Sequence, residues 1–259
     1  MYGGYVGQYP FVSVVRMQTA LIQGGSGGIG RALLDQVLAS DQFDQVVVTS
    51  RHPDQLVCND PRVHVVALDL CADASIAKAS REVADLTDRL HLVLTTAGLL
   101  KDAQQGVAPE KKLADLNRSA LEQVFAVNCF GPFLWYAALA PLLKHRERLR
   151  VATLSARVGS IGDNGLGGWH SYRASKAAQN MLTKNLSLEL KRTNPQSVVV
   201  GLHPGTVDTA LSKPFQSGVP SDKLFTAEQS AGFLWQVLEQ LTPERSGEVI
   251  AWDGQTITP

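Results

Sequence analysis

Leu21-Ile22-Gln23-Gly24-Gly25-Ser26-Gly27-Gly28-Ile29-Gly30-Arg31 joins a short apolar run to an amphipathic segment over about residues 29–40. Glycine lets a backbone turn tightly and approach a pyrophosphate closely. A helix starting there presents free N–H groups and the positive end of its dipole to an anion. Two registers fit. Gly25, Gly27 and Gly30 read G-x-G-x-x-G, whereas Gly24, Gly28 and Gly30 read G-x-x-x-G-x-G. A glycine-rich turn without a ligand reads the same in isolation. The strand before and the helix after supply the context that a dinucleotide loop requires.

Outward from this loop, apolar runs at 19–23, 45–49, 63–68, 91–95, 149–154, 197–202 and 248–252 each precede polar or glycine-rich turns. Val46-Val47-Val48 and Val198-Val199-Val200 suit parallel strands buried on both faces. Helical patterns lie at about 29–40, 73–89, 118–145, 172–192 and 227–241. The alternation predicts an α/β single-domain Rossmann fold over residues 17–259. Its sheet is doubly wound, seven-stranded and parallel, with helices on both faces. Residues 1–16 are rich in Gly and Tyr and lack the basic start and apolar core of a signal peptide. They are expected to form a loosely held N-terminal extension; an added strand or a partner-binding arm is the alternative. Residues 206–225, with Pro214, Gly218 and Pro220, are expected to form a long irregular loop, as lids often are.

The 259 residues are 44% hydrophobic and 19% charged, an ordinary globular balance with ample length for a core. Net charge is zero, so no global field favours nucleic acid or an anionic membrane. Cys58, Cys71 and Cys129 are an odd number without close pairing. They read as reduced thiols of a cytoplasmic protein, and no metal-ligand spacing involves them or the histidines. The uncharged run 124–143 is long enough to consider as a membrane span. Asn128, Gly131, Pro132 and Pro141 interrupt it, and a buried core helix fits the surrounding pattern better.

Tyr172 and Lys176 stand four residues apart, which places both on one face of a helix. A lysine ammonium there favours the ionised phenol and lowers its pKa from about 10, making the tyrosine usable in proton transfer. Asn128 lies between this pair and the glycine loop. The second strand ends Val48-Thr49-Ser50-Arg51, without the acid that accepts a ribose 2′-OH. Arg51 is placed to meet a 2′-phosphate, and Ser50 offers a further hydrogen bond. NADP(H) is therefore favoured, with NAD(H) possible. Asp69-Leu70, after the third strand, is placed to receive an adenine amino group; a turn or capping acid is the alternative.

With Thr96-Ala97-Gly98 and Pro204-Gly205-Thr206-Val207-Asp208-Thr209, these residues resemble the short-chain dehydrogenase/reductase family from about Gln18 onward. Leu202-His203-Pro204-Gly205, Leu211-Ser212-Lys213-Pro214-Phe215 and Ala251-Trp252-Asp253-Gly254 are similar to its C-factor and sniffer-type carbonyl reductase group. The resemblance implies Tyr172 as general acid in reduction and base in oxidation. It implies that Lys176 lowers the tyrosine pKa and binds the nicotinamide ribose, and that Asn128 orders a water. Otherwise Asn128 is a helix-interior residue bonded to nearby backbone. The implied cofactor set is Gly24, Ser26, Gly27, Gly28, Ile29, Gly30, Ser50, Arg51, Asp69, Leu70, Ala97, Gly98, Tyr172, Lys176, Pro204, Gly205, Val207 and Thr209. Val207 and Thr209 would meet the carboxamide.

One position departs from the family. Its catalytic serine stands three residues before a glycine that matches Gly159, and this chain has Ala156 there. A methyl group donates no hydrogen bond. Ser155 takes over if the strand end shifts by one residue, although adjacent residues there point to opposite faces. Ser160 or Asp163-Asn164 is a second source. Otherwise turnover is slow. The expected function is NADP-dependent hydride transfer between nicotinamide and a small carbonyl or alcohol. The alternative is a low-turnover nucleotide-binding regulatory or cell-signalling protein. Leu211, Phe215, Val219 and Leu224 suggest an apolar substrate pocket, and Trp169 and His170 a wall of it. Helices 118–145 and 172–192 are expected to pair in a homodimer or homotetramer.

Overall fold

The structure, a computed structural model, describes residues 17–259. The extension expected over residues 1–16 lies outside the described residues. The strands are β1 (Thr19–Gln23), β2 (Gln45–Ser50), β3 (Val63–Ala67), β4 (Leu92–Thr95), β5 (Leu149–Leu154), β6 (Ser197–His203), β7 (Thr206–Val207), β8 (Leu224–Phe225) and β9 (Val249–Ala251). Seven of them form one parallel sheet in the order β3-β2-β1-β4-β5-β6-β9. This is the doubly wound Rossmann arrangement that the strand and helix alternation predicts.

The period-2 alternation of each strand feeds two apolar layers. Ala20, Ile22, Val46, Val48, Val198 and Val200 face one side, where Leu33, Leu34 and Val37 of α1 (Gly28–Ala39) meet Leu234 and Leu238 of α6 (Ala227–Gln240). Leu21, Val47, Val93, Val151 and Val199 face the other. They pack there with α2 (Asp73–Leu86), α4 (Gly131–Leu143) and α5 (His170–Thr193). Burying each such side chain fully contributes about 1.5–3 kcal/mol, which makes the valine-rich runs intolerant of the surface.

The helix expected over 118–145 is interrupted. It runs as α3 (Arg118–Phe125), a π-helical segment Ala126–Phe130 and then α4, ending at Leu143. Length and composition alone would allow it to cross a membrane, but Trp135, Leu139 and Leu143 are buried against the sheet. Residues 206–225 are also more ordered than a loop reading predicts. β7 and β8 close the segment as a two-stranded parallel ladder, with 3-10 turns at Lys213–Gly218 and Ser221–Lys223 between them.

β1 and β4 are neighbours although β2 and β3 intervene in the chain, so the direction of winding reverses between them. Doubly wound sheets hold ligands beyond the strand ends at such a reversal.

Candidate active site

A cleft of about 640 Å³ opens beyond the carboxyl ends of β1, β2 and β4. The glycine loop forms its floor. Gly24 has φ +86°, a left-handed value that disfavours a side chain. A Cβ on Gly30 would lie 2.1 Å from the Gly24 carbonyl oxygen, so the first turn of α1 touches the loop backbone. Thr96 Oγ1 donates to the Gln23 carbonyl at 2.8 Å and stitches β4 to β1 there. A Cβ on Gly27 would meet nothing within 4 Å. The loop therefore needs its glycines in the Gly24, Gly28, Gly30 register. Gly25 is constrained by the core instead, where a Cβ would lie 2.4 Å from Val48 Cγ1. No side chain caps the start of α1 and its first turn holds no acid, so its N–H groups are left for an anion.

Ser26, Gly27, Gly28, Ile29, Ser50, Arg51, Asp69, Leu70, Ala97, Gly98 and Thr209 all line this cleft, as do Gly24 and Gly30. Arg51 is exposed and has no hydrogen-bond or ion-pair partner among the described residues. Ser50 Oγ accepts from the His52 N–H at 3.1 Å. Asp69 Oδ1 accepts from Cys71 N at 2.9 Å, so the acid makes a turn and borders the cleft at once. Ala97 N donates to Gln23 Oε1 at 3.1 Å. The Gly24/Gly30 cradle, the uncapped helix start and the unpaired Arg51 fit a dinucleotide phosphate.

Pro204, Gly205 and Val207 are not among the lining residues. Gly205 packs under Phe225 and Trp252, and Val207 is buried in β7. Leu211, one turn on, borders the cleft with Thr209.

Asn128 sits in the π segment and is fully buried. Its Oδ1 accepts from Leu99 N at 2.6 Å, and its Nδ2 donates to Leu99 O at 2.9 Å and Ser175 Oγ at 3.0 Å. Ser175 Oγ donates in turn to the Tyr172 carbonyl at 2.8 Å. Asn128 thus ties the turn after β4 to the helix that carries the tyrosine.

Tyr172 and Lys176 share one face of α5, with Nζ 5.9 Å from the phenol ring centroid. Lys176 is 2% exposed; its Nζ donates to the Leu154 carbonyl at 2.7 Å and to Gln179 Oε1 at 2.8 Å. Leu154 borders the cleft, so the ammonium stands one hydrogen bond from its wall. The sequence predicts that Lys176 lowers the tyrosine pKa. The structure corrects this: burial dominates and pushes the Tyr172 phenol up to about 12. Burial also pushes Lys176 down to about 7. The ammonium spends its hydrogen bonds on Leu154 and Gln179 rather than on the phenol.

Ser155 is turned away. Its buried hydroxyl donates to Asn180 Oδ1 of α5 at 2.6 Å, and it does not line the cleft. Ala156 is partly exposed, as alternation at a strand end requires. The 3-10 turn that follows, Arg157–Gly159, is pressed on α5: a Cβ on Gly159 would lie 2.8 Å from Lys176 Cβ. The other polar groups of this segment bond within it. Ser160 Oγ accepts from Asp163 N at 3.0 Å, Asp163 pairs with Arg157 at 3.0 Å, and Asn164 Oδ1 accepts from Gly167 N at 3.0 Å.

The sequence reading misses Glu110. It is buried, and its carboxylate accepts from the Ser171 hydroxyl and, at 3.2 Å, from Ser171 N. A carboxylate at this end of α5 complements the helix dipole and anchors the turn bearing Tyr172. Nothing in the local pattern around Glu110 signals the contact. Trp169 adopts φ +50° and donates its N–H to the Glu110 carbonyl at 2.6 Å. Its ring meets Tyr172 edge-on at 6.3 Å and Phe215 edge-on at 4.9 Å, so segment 206–225 reaches the tyrosine through a relay of edge-on aromatic contacts.

A sequence profile of the family described as short chain dehydrogenase matches residues 18–219. The chain is 30% identical over 241 residues to the 1-hydroxy-2-glutathionyl-2-methyl-3-butene dehydrogenase of Rhodococcus sp. strain AD45, covering 92% of this chain and 98% of that protein. It is 33% identical over 146 residues to the C-signal protein of Myxococcus xanthus, covering 56% of this chain and 82% of that one. The NADPH-bound carbonyl reductase from chicken fatty liver superposes with a TM-score of 0.81 at 26% identity, over 95% of this chain and all of the other.

Proposed function

Because this chain belongs to the short-chain dehydrogenase family, we propose that residues 17–259 form one domain that reduces a small carbonyl compound with NADP(H). The observation that carries this reading is Lys176, set one hydrogen bond behind the wall of the glycine-loop cleft with its Nζ 5.9 Å from the Tyr172 ring centroid. The NADPH-bound state of the chicken carbonyl reductase supports the cofactor. When bound, the nicotinamide supplies the hydride.

The chain's own part is positioning and proton supply. The Gly24–Gly30 loop and the start of α1 hold the pyrophosphate, and Arg51 with Ser50 meets the 2′-phosphate. Asp69 and Leu70 border the adenine, and Ala97, Gly98 and Thr209 the nicotinamide half. Pro204, Gly205 and Val207 shape the segment beneath Thr209. A phenol at about 12 keeps its proton at neutral pH, so Tyr172 serves as the acid that protonates the carbonyl oxygen. Lys176 supplies the positive charge that favours charge development on that oxygen. Asn128 and Glu110 hold the two ends of the helix turn that aims Tyr172. Leu211, Phe215 and Trp169 make the outer wall apolar.

A panel of aldehydes and ketones assayed with NADPH and NADH, read as cofactor oxidation, tests the reading directly. Oxidation of NADPH by none of them favours the regulatory alternative. That second reading draws on Ala156, which leaves the carbonyl one donor short, and on the likeness to the C-signal protein.

Arg51→Ala is expected to weaken NADPH binding about tenfold and leave NADH unchanged. Hydrogen bonds to charged groups contribute about 1.5–3 kcal/mol, and the exposure of Arg51 trims that range. Fluorescence titration of both cofactors measures it, and equal affinities in wild type and variant would remove the 2′-phosphate role.

Phe130 and Leu134, at 54% and 49% exposure, and Met181 and Leu188, at 62% and 50%, are exposed apolar side chains on the two helical segments expected to pair between subunits. A homodimer or homotetramer covers them. Sedimentation at micromolar concentration should give at least twice the 27.9 kDa monomer mass, and a monomer there would refute the pairing. All three cysteines are free thiols, which supports a reducing, cytoplasmic setting.

A further inference from the structure

Lys176 is a cation inside the protein with no carboxylate beside it among the described residues. It is 2% exposed, and its Nζ donates to two neutral acceptors, Leu154 O at 2.7 Å and Gln179 Oε1 at 2.8 Å. Gln179 is itself 1% exposed, and its Nε2 donates to the same Leu154 carbonyl at 3.1 Å. The three groups close a triangle: lysine to carbonyl, lysine to amide oxygen, amide nitrogen to carbonyl. Leu154 is the member that borders the cleft. Gln179 also lies one helical turn beyond Lys176 on α5, so helix geometry alone keeps the amide over the ammonium.

We propose that Gln179 is a positioning residue of this site, whose amide and the Leu154 carbonyl form a two-acceptor cradle that keeps Lys176 charged and held at the cleft wall. The inference rests on the reductase reading for its consequence in turnover, but not for its geometry. An amide oxygen stabilises an ammonium by a charge-assisted hydrogen bond without adding a counter-charge. A carboxylate there would hold the lysine more strongly. The remaining surroundings supply no alternative. Among the described residues, the titratable groups facing Lys176 are Tyr172 on its own helix and Cys129 on the π segment. β5 offers the Leu154 backbone carbonyl, and the turn at Gly159 contributes only backbone against the lysine stem. With burial already pushing Lys176 down to about 7, loss of one acceptor moves the charge equilibrium through neutral pH.

The test is a titration of Lys176 in protein labelled with 13Cε-lysine, assigned by the Lys176→Met spectrum. Gln179→Met, which keeps the length and removes both polar atoms, should lower the Lys176 midpoint by about 1–2 pH units, the size of a hydrogen bond to a charged group. Gln179→Glu should raise it instead, because a carboxylate favours the ammonium. The alkaline limb of kcat for NADPH-dependent reduction should follow both shifts, while KM for the carbonyl compound changes less than threefold (about 0.7 kcal/mol). If either variant fails to fold, Gln179→Asn, with its amide withdrawn by one methylene, should still lower the midpoint. Opposite shifts in the Met and Glu variants establish the cradle. An unmoved midpoint, or the same downward shift in both, overturns it. Shifted midpoints in a protein that reduces no carbonyl keep the cradle and remove the reductase reading, so the two fail separately.

Discussion

Tyr172→Phe lowers kcat for carbonyl reduction by about 10²–10⁴-fold, the range that a positioned general acid contributes. The substitution is unusually clean here. The phenol oxygen has no hydrogen-bond partner among the described residues, so its removal orphans no other group. The ring keeps its edge-on contact with Trp169, and the cofactor cleft, which Tyr172 does not line, is untouched. NADPH affinity should therefore stay within about twofold and stability within about 0.5 kcal/mol. Since burial holds the wild-type phenol at about 12, the loss should be equally large at every pH from 6 to 9. Steady-state kinetics with a fluorescence titration measure all of this. Turnover of the Phe variant within fivefold of wild type would assign the proton to another acid.

Ala156→Ser raises kcat for small aldehydes by about 10–100-fold. Deleting one oriented donor to a developing oxyanion lowers rates about 10²–10³-fold in other enzymes, and an installed serine recovers part of that. The site is prepared for it. Ala156 has extended φ and ψ of −149° and 146°, is partly exposed, and precedes the Arg157–Gly159 turn that is pressed onto Lys176. The gain belongs in kcat rather than KM, because the donor acts on charge that exists only in the transition state. Ser155→Ala is the control in both backgrounds. Its hydroxyl serves Asn180, so its removal should destabilise the protein by about 1–3 kcal/mol through the orphaned amide oxygen, with little change in kcat. A collapse of kcat in Ser155→Ala, or no response to Ser at position 156 with any accepted substrate, would place the carbonyl donor elsewhere.

The sheet was legible because buried parallel strands write themselves as continuous valine-rich runs. All seven run within one residue of the pattern at each end. The glycine loop was legible as a site but not in register. Gly30 belongs to both readings; the left-handed backbone at Gly24 and Gly28, φ +86° and +52°, against the open surroundings of Gly27 distinguishes them, and those dihedrals form only in the folded turn. What the sequence could not show depends on side chains meeting from distant segments. Glu110 reaches Ser171 across 61 positions, and Ser155 finds Asn180 across 25. The tyrosine was misjudged for a related reason: spacing places an ammonium near a phenol, but the sign of the outcome depends on burial and on where Nζ finds acceptors.

The wide turn at Ala126–Phe130 also sets an azimuth. An α-helix advances about 100° per residue, and a turn closed from i to i+5 takes in one residue more, so α4 is out of phase with α3 by roughly that angle. A single helical wheel drawn from Arg118 to Leu143 therefore blends two patterns and hides both. Beyond the turn, Trp135 and Leu139 fall on the core while Leu134, like Phe130 at the end of the turn, faces outward. The same offset delivers Asn128 to the Leu99 backbone and these apolar side chains to the surface. Chain length within these five residues, more than their identity, carries that information: removing one would swing the outer side chains and the inner ligature together.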